Sequence, residues 1–374
     1  LNFKYLFNSA AFSTLIVALD VIYQYIFGFN IIGLRSGSYH NSSFFGDEYI
    51  TGGYIQNFSF FLVLFLMFEL RNKNNLRFIL TTITICILGT SIMLSGNKMP
   101  LILFLFGLLM AFLLDNKLRK IILVSLVCCF VLFKFILSSD TMFKNRYSSL
   151  FTSVKHTFGT FYSGSELKND TEKNYEEQEN SMLTEEKNQR SSWHRKQIGF
   201  LNDRSFQGRL LLTALDIWKQ NKLFGNGIKS FRIDCYKLKD IYAEKREIKD
   251  LIDYNPVYEY NYTETYDKSK KNRICSNHPH NYYFEILTET GVVGIFITLM
   301  IASLFIVFIL KNFKFLKGNN IENFILLAAT ISLFLEAFPL RSSGSFFTTN
   351  NATYITLISS IILSYRNKLT KHSE

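Results

Sequence analysis

Residues 121–133 read IILVSLVCCFVLF, an apolar run with no charge and no strong helix breaker. A bilayer core takes ~20 mostly apolar residues per helix, so this run, extended by its flanks to 120–138, predicts a membrane span. Working outward, comparable stretches recur at 9–27, 53–70, 77–95, 99–114, 290–310, 322–338 and 352–365. Lipid offers no partner for backbone N–H and C=O, so each is expected to be a helix. Pro100, Pro279 and Pro339 fall at span ends or outer-loop edges, where a missing N–H costs least. Averages over the 374 residues conceal this pattern: 48% hydrophobic, 19% charged and a net charge of +11 look nearly globular. They do exclude a disordered chain. Five cysteines over this length exclude a disulfide-stapled miniprotein.

Charge sets the orientation. With the N-terminus cytoplasmic, the inner segments 1–8, 71–77, 115–120, 311–320 and 366–374 carry thirteen Lys and Arg. The short outer segments 28–52, 96–98 and 339–351 carry only Arg35, Lys98 and Arg341. That bias follows the positive-inside rule, from which a loop as long as 139–279 is exempt. The expected organisation is five transmembrane helices in 1–138, a large outer loop in 139–279, and an interfacial helix with three transmembrane helices in 280–374. Within the loop, 164–208 includes NDTEKNYEEQENSMLTEEKNQR, which cannot build a core and is expected to be a mobile insertion. Beyond it, Leu211, Leu212, Leu215 and Trp218 recur at helical spacing. Phe224-Gly225-Asn226-Gly227 then makes a turn. The Tyr-rich stretch 236–273 reads either as a solvated loop or as a surface on which sugars stack.

Ionisable residues within the spans are sparse. Asp20, mid-span, is either functional or a helix–helix hydrogen bond. A transporter would need more buried acids or broken helices near the midplane, and a scaffold would need no lipid-sized groove. The three outer cations run against the topology, and an anionic substrate at the outer boundary would account for them. Arg forks onto phosphate, whereas Lys acts as a point charge. Lys98 also opens a span, where a helix N-terminus attracts phosphate.

The strongest local signal is HPHNYYFEILTETGVVG, residues 278–294. Residues 280–290 read as a short amphipathic helix with Asn281, Glu285 and Glu289 on one face, and Gly291 and Gly294 allow a bend into the next span. His280 is then held at the membrane surface, either as a general base or as a packed surface side chain. His278, His280 and Glu285 would make an incomplete metal site. Cys235 and Cys275, the outer-loop cysteines, can bond outside the cytoplasm, while Cys86, Cys128 and Cys129 lie in spans and are expected to pack there.

These residues resemble the O-antigen ligase and O-antigen polymerase superfamily of bacterial envelope biosynthesis. Its ligase pattern is His, then Asn, Ser or Gln, nine residues, Gly, two residues, then Gly, Thr or Tyr. His280-Asn281 followed by Gly291-Val292-Val293-Gly294 matches throughout. Further similarities are FFGDEYITGGYI (44–55), GRLLLTALDIWKQNKLFGNG (208–227) and FPLRSSGSFFTTNNATY (338–354). The resemblance implies an all-α polytopic membrane glycosyltransferase of GT-C-like type in the bacterial inner membrane, with its active site on the periplasmic face. The donor would be an undecaprenyl-pyrophosphate-linked glycan. The acceptor would be lipid A–core for a ligase, the favoured reading, or another glycan repeat for a polymerase. Neither cofactor, metal nor nucleic acid is expected. His280 matches the general base, Arg35 an outer-loop Arg on the donor pyrophosphate, and Arg209 an Arg preceding a Trp in the loop. Lys98 stands where the family has Arg in a similar setting; Asn281 and Arg341 complete the expected substrate contacts. The family's large loop follows its ninth helix and here follows the fifth, so some N-terminal helices are expected upstream of Leu1.

Overall fold

The computed structural model describes residues 3–37, 40–46, 48, 50–148, 206–242, 273–311, 316, 318–342 and 344–364. Regular structure there is helical, with one isolated bridge between Phe29 and Arg35. In chain order the described α-helices are α1 (Phe3–Phe27), α2 (Thr51–Glu69), α3 (Asn74–Leu94), α4 (Lys98–Leu114), α5 (Arg119–Ser139), α6 (Phe206–Trp218), α7 (Phe231–Tyr242), α8 (Tyr282–Lys311), α9 (Ile321–Glu336) and α10 (Thr349–Ser364). All eight expected spans coincide with helices. Five of them, α1, α2, α3, α5 and α8, are long and apolar enough to cross a membrane. At 16 residues each, α9 and α10 reach only ~24 Å at 1.5 Å per residue.

The chain forms two compact units, and the division falls inside α8 between Met300 and Ile301. The first unit holds α1–α5, the end of α8, α9 and α10. Its core is aromatic and aliphatic: Phe7, Phe60, Ile85, Leu88 and Phe104 are fully or almost fully buried, as are Ala328 and Leu335 of α9. Polar residues inside the helices mostly return their hydroxyls to their own backbone, as Ser125 does to the Ile121 carbonyl at 2.7 Å.

The second unit holds α6, α7, the first part of α8 and the segment 342–348. The sequence pattern placed a helix at 211–218, and α6 is that helix, begun three residues before the structured segment expected at 209. Its buried face differs from the one the spacing suggested. Leu210, Leu211, Ala214 and Ile217 turn inward, packed in one cluster with Phe231, Cys235 and Ile274, while Leu212, Leu215 and Trp218 are half-buried. Most of the expected insertion 164–208, up to residue 205, lies outside the described residues, as does most of the Tyr-rich stretch.

Cys235 and Cys275 are bonded, closing a loop across a sequence separation of 40. In the chain-entropy model a loop of that length stabilises by about 4 kcal/mol. Cys235→Ser with Cys275→Ser is expected to lower the unfolding temperature of the second unit. Adding a reductant to the parent protein should reproduce the loss, and should do nothing further to the double variant.

Candidate active site

In the second unit the site is built on 273–290. Three ties hold the segment ahead of His280. Arg273 Nε donates to Asp216 Oδ2 of α6 at 2.7 Å. Thr213 Oγ1 of α6 donates to the Ile274 carbonyl at 3.0 Å. The disulfide fastens Cys275 to α7. Pro279 is buried, and α8 starts at Tyr282. Asn281 is its N-cap: Oδ1 accepts from the backbone N–H groups of Tyr283 at 3.0 Å and Phe284 at 3.2 Å, donors that a helix start otherwise leaves open. Its side-chain oxygen is therefore engaged in holding the helix.

The face Asn281–Glu285–Glu289 exists as the spacing predicted, and it points inward. All three residues are buried. Glu285 accepts from Ser345 Oγ and from the Phe346 N–H, each at 2.5 Å, which holds the segment 342–348. Glu289 Oε2 accepts from the Lys229 N–H at 2.5 Å, which holds the turn before α7. Gly291 then takes φ 68°, ψ −165°, a bend inside α8 that only glycine adopts readily.

His280 sits between these anchors with φ 54°, the left-handed region, which costs a non-glycine residue about 1–3 kcal/mol unless its surroundings hold it there. Its ring lies 4.2 Å from that of His278 and 6.4 Å from Phe206 at the start of α6, with Nε2 3.3 Å from Ser276 Oγ. Burial, with the neighbouring His278 imidazole adding to it, pushes the His280 pKa down to about 4. The ring is neutral at neutral pH and has a lone pair to offer. His278 is also lowered by burial. Among the described residues no three His, Cys, Asp or Glu side chains gather as a metal site. Beside the bend, Ile286, Val293, Ile297, Phe346 and Phe347 line an apolar groove of about 330 Å³.

In the first unit Asp20 anchors the loop after α1. Its Oδ1 accepts from the Ile31 N–H at 3.0 Å and its Oδ2 from Ser43 Oγ at 2.5 Å. Gln24 adds bonds to the carbonyls of Leu34 and Arg35 and to the Ser43 N–H. Arg35 is exposed on this ordered loop. His40 Nδ1 lies 2.8 Å from the Ser95 carbonyl, and Arg146 Nε donates to the Gly96 carbonyl at 3.2 Å with Nη2 3.5 Å from His40 Nε2. Lys98 is close enough to Arg146 for their charges to repel, and burial, with the same guanidinium adding to it, keeps His40 below its usual pKa. Lys98, Arg146 and His40 thus form a basic cluster around the turn that opens α4.

Of the residues expected from sequence, Lys98 joins this cluster and Arg35 lies on the loop beside it in the chain. Arg209 is half-buried on α6, one turn after Phe206. Arg341 is buried and paired with Glu336 at 2.5 Å, so its charge is already met by a carboxylate. Arg146, His40 and Ser276 were not anticipated. Arg146 carried the only available signal, a cation eight residues beyond the end of the fifth expected span.

A family model described as O-antigen ligase matches residues 82–299. The chain belongs to the O-antigen ligase family. The match takes in Lys98, Arg146, Arg209 and His280, and leaves Arg35 and Arg341 outside it. No curated protein and no solved structure matches the chain. With its membrane-crossing helices, this member of the O-antigen ligase family is a multi-pass membrane protein.

Proposed function

We propose that the protein is a glycosyltransferase that moves a glycan from an undecaprenyl-pyrophosphate donor to lipid A–core, on the periplasmic face of the bacterial inner membrane. Family membership supports ligase-like chemistry. The observation that carries the residue assignment is His280, the first residue of the family's His-Asn pattern, held neutral in a left-handed turn ahead of α8. The acceptor hydroxyl attacks the anomeric carbon and a new C–O glycosidic bond forms. The bond from that carbon to the pyrophosphate oxygen breaks, and its electron pair leaves with the lipid pyrophosphate. His280 takes the hydroxyl proton. Lys98, Arg146, Arg35 and Arg209 offset the negative charge that builds on the leaving group, without a metal. Arg341, compensated by Glu336, contributes least. The apolar groove beside the α8 bend suits isoprenoid methyl groups.

A chromosomal null strain tests this reading. Lipid-linked polymer with uncapped core is expected. Cores bearing a single repeat would instead indicate a polymerase.

Two predictions belong here. Removing Arg146 as Arg146→Ala deletes a charged phosphate contact of ~1.5–3 kcal/mol. The KM for the donor should rise about 10–100-fold with the chain still inserted. The second concerns pH. A base with a lowered pKa is active above it and lost as pH falls through it. In kcat/KM, which reports the free enzyme, activity should stay flat through pH 6–7 and fall toward about pH 4. The bound pyrophosphate favours imidazolium, so the acid limb of kcat should lie at higher pH.

A further inference from the structure

The turn between α6 and α7 presents three large apolar side chains to the outside. Leu223 is 63% exposed, Phe224 74% and Ile228 65%. Water is a poor solvent for such a tip, and among the described residues of the second unit nothing covers it. Its position along the molecule is fixed by hydrogen bonds to the bend of α8. The Val292 N–H donates to the Lys222 carbonyl at 3.0 Å and the Val293 N–H to the Leu223 carbonyl at 3.2 Å. In return, Gly227 N–H donates to the Glu289 carbonyl at 2.9 Å and Asn226 N–H to the Thr288 carbonyl at 3.1 Å. The turn therefore shares the depth of Val292 and Val293. These residues also begin the exposed apolar surface of α8, which continues with Phe296 and Ile297.

Charge fits the same picture. Residues 219–233, KQNKLFGNGIKSFRI, contain Lys219, Lys222, Lys229 and Arg232 and no acid. Lys222 and Lys229, on either side of the apolar tip, are exposed. Trp218, of a residue type enriched at membrane–water boundaries, precedes the turn and donates its indole N–H to the Lys222 carbonyl at 3.0 Å. An apolar tip in a collar of cations is the composition of an interfacial element, with lysine stems along the acyl boundary and ammonium groups at lipid phosphates.

We propose that the turn 221–229 is a second membrane contact of the outer loop, inserted into the outer-leaflet interface of a phospholipid bilayer containing anionic headgroups. Leu223, Phe224 and Ile228 enter the first acyl methylenes, and Lys222 and Lys229 meet the phosphates. The turn then fixes the depth at which 280–290, and so His280, is held. This goes beyond the proposed transfer reaction and does not depend on it, because the test reads depth and not activity.

The test uses the full chain in nanodiscs of mixed zwitterionic and anionic phospholipid, with Phe224→Trp as a depth probe read against the parent emission. The added tryptophan is expected to emit at short wavelength. It should lose most of its intensity to lipids brominated near the glycerol end of the acyl chain, and little to iodide in the buffer. Ile228→Trp carries the same measurement if the first variant does not insert. Long-wavelength emission quenched by iodide but not by brominated lipid would place the turn in water and overturn the proposal. Emission quenched by neither would mean that protein covers the tip, and would overturn it equally.

Discussion

His280→Ala is expected to lower glycan transfer by about 10²–10⁴-fold, the usual contribution of a positioned general base, with membrane insertion unchanged. The separation of activity from folding follows from what the side chain touches. Its ring contacts are His278, Phe206 and Ser276, whereas the ties that hold the segment belong to other residues: Arg273 to Asp216, Thr213 to Ile274, Cys275 to Cys235. The variant should retain the disulfide and unfold modestly below the parent temperature, because it loses the packing of one ring. His280→Gln keeps size and hydrogen bonding without proton transfer, and should be as inactive as the alanine variant. Transfer near the parent rate by either correctly inserted variant removes His280 from the mechanism.

Gly291→Ala should have the second largest effect, through the backbone. Gly291 has φ 68°, and a Cβ there would overlap the backbone of Leu223 and lie 2.6 Å from the Gly225 nitrogen. Gly225 shows the reciprocal arrangement, with φ 71° and a Cβ that would meet the Glu289 carbonyl oxygen and the Thr290 nitrogen at 2.5 Å. The two segments approach so closely that neither position has room for a side chain. Left-handed strain of about 1–3 kcal/mol adds to an overpacking cost of about 1–3 kcal/mol. Gly291→Ala should therefore destabilise the second unit by about 2–6 kcal/mol, seen as a lowered melting temperature and faster proteolysis of the outer loop. Activity should fall with it, because the turn and 280–290 lose their mutual hydrogen bonds. Gly53→Ala in α2, where a Cβ meets nothing within 4 Å, is the matched control and should change little.

These two cases show which parts of the molecule the sequence made readable. The spans were legible because each is a local run whose composition alone demands a helix. Gly291 was legible as a bend because a glycine stands between the amphipathic stretch and the next span, although its second role, admitting the Leu223 carbonyl, depends on a contact about seventy positions away in the chain. Asn281, Glu285 and Glu289 were correctly placed on one face. What they do there, capping α8 and gripping 342–348 and the turn before α7, is set by tertiary partners that no periodicity encodes. Asp20 is a further instance. A buried acid in a span suggests chemistry, yet its partners are Ile31 and Ser43 of the following loop. The Lys98, Arg146 and His40 cluster joins three separate segments, so charge counting found its outer-segment lysine and missed the rest. Arg341 looked like the other outer cations because Glu336, counted within a span, was not weighed as its partner.

The central claim is that this chain transfers a lipid-linked glycan with His280 as the base. The measurement closest to it is transfer by the purified protein in liposomes, supplied with polyprenyl-pyrophosphate glycan and lipid A–core and followed by mass spectrometry of both lipids. The account predicts glycan-capped core appearing mole for mole with free polyprenyl pyrophosphate, and neither product with His280→Ala. Capped core formed equally well by His280→Ala, or no capped core from the parent protein while the donor is consumed, would contradict it.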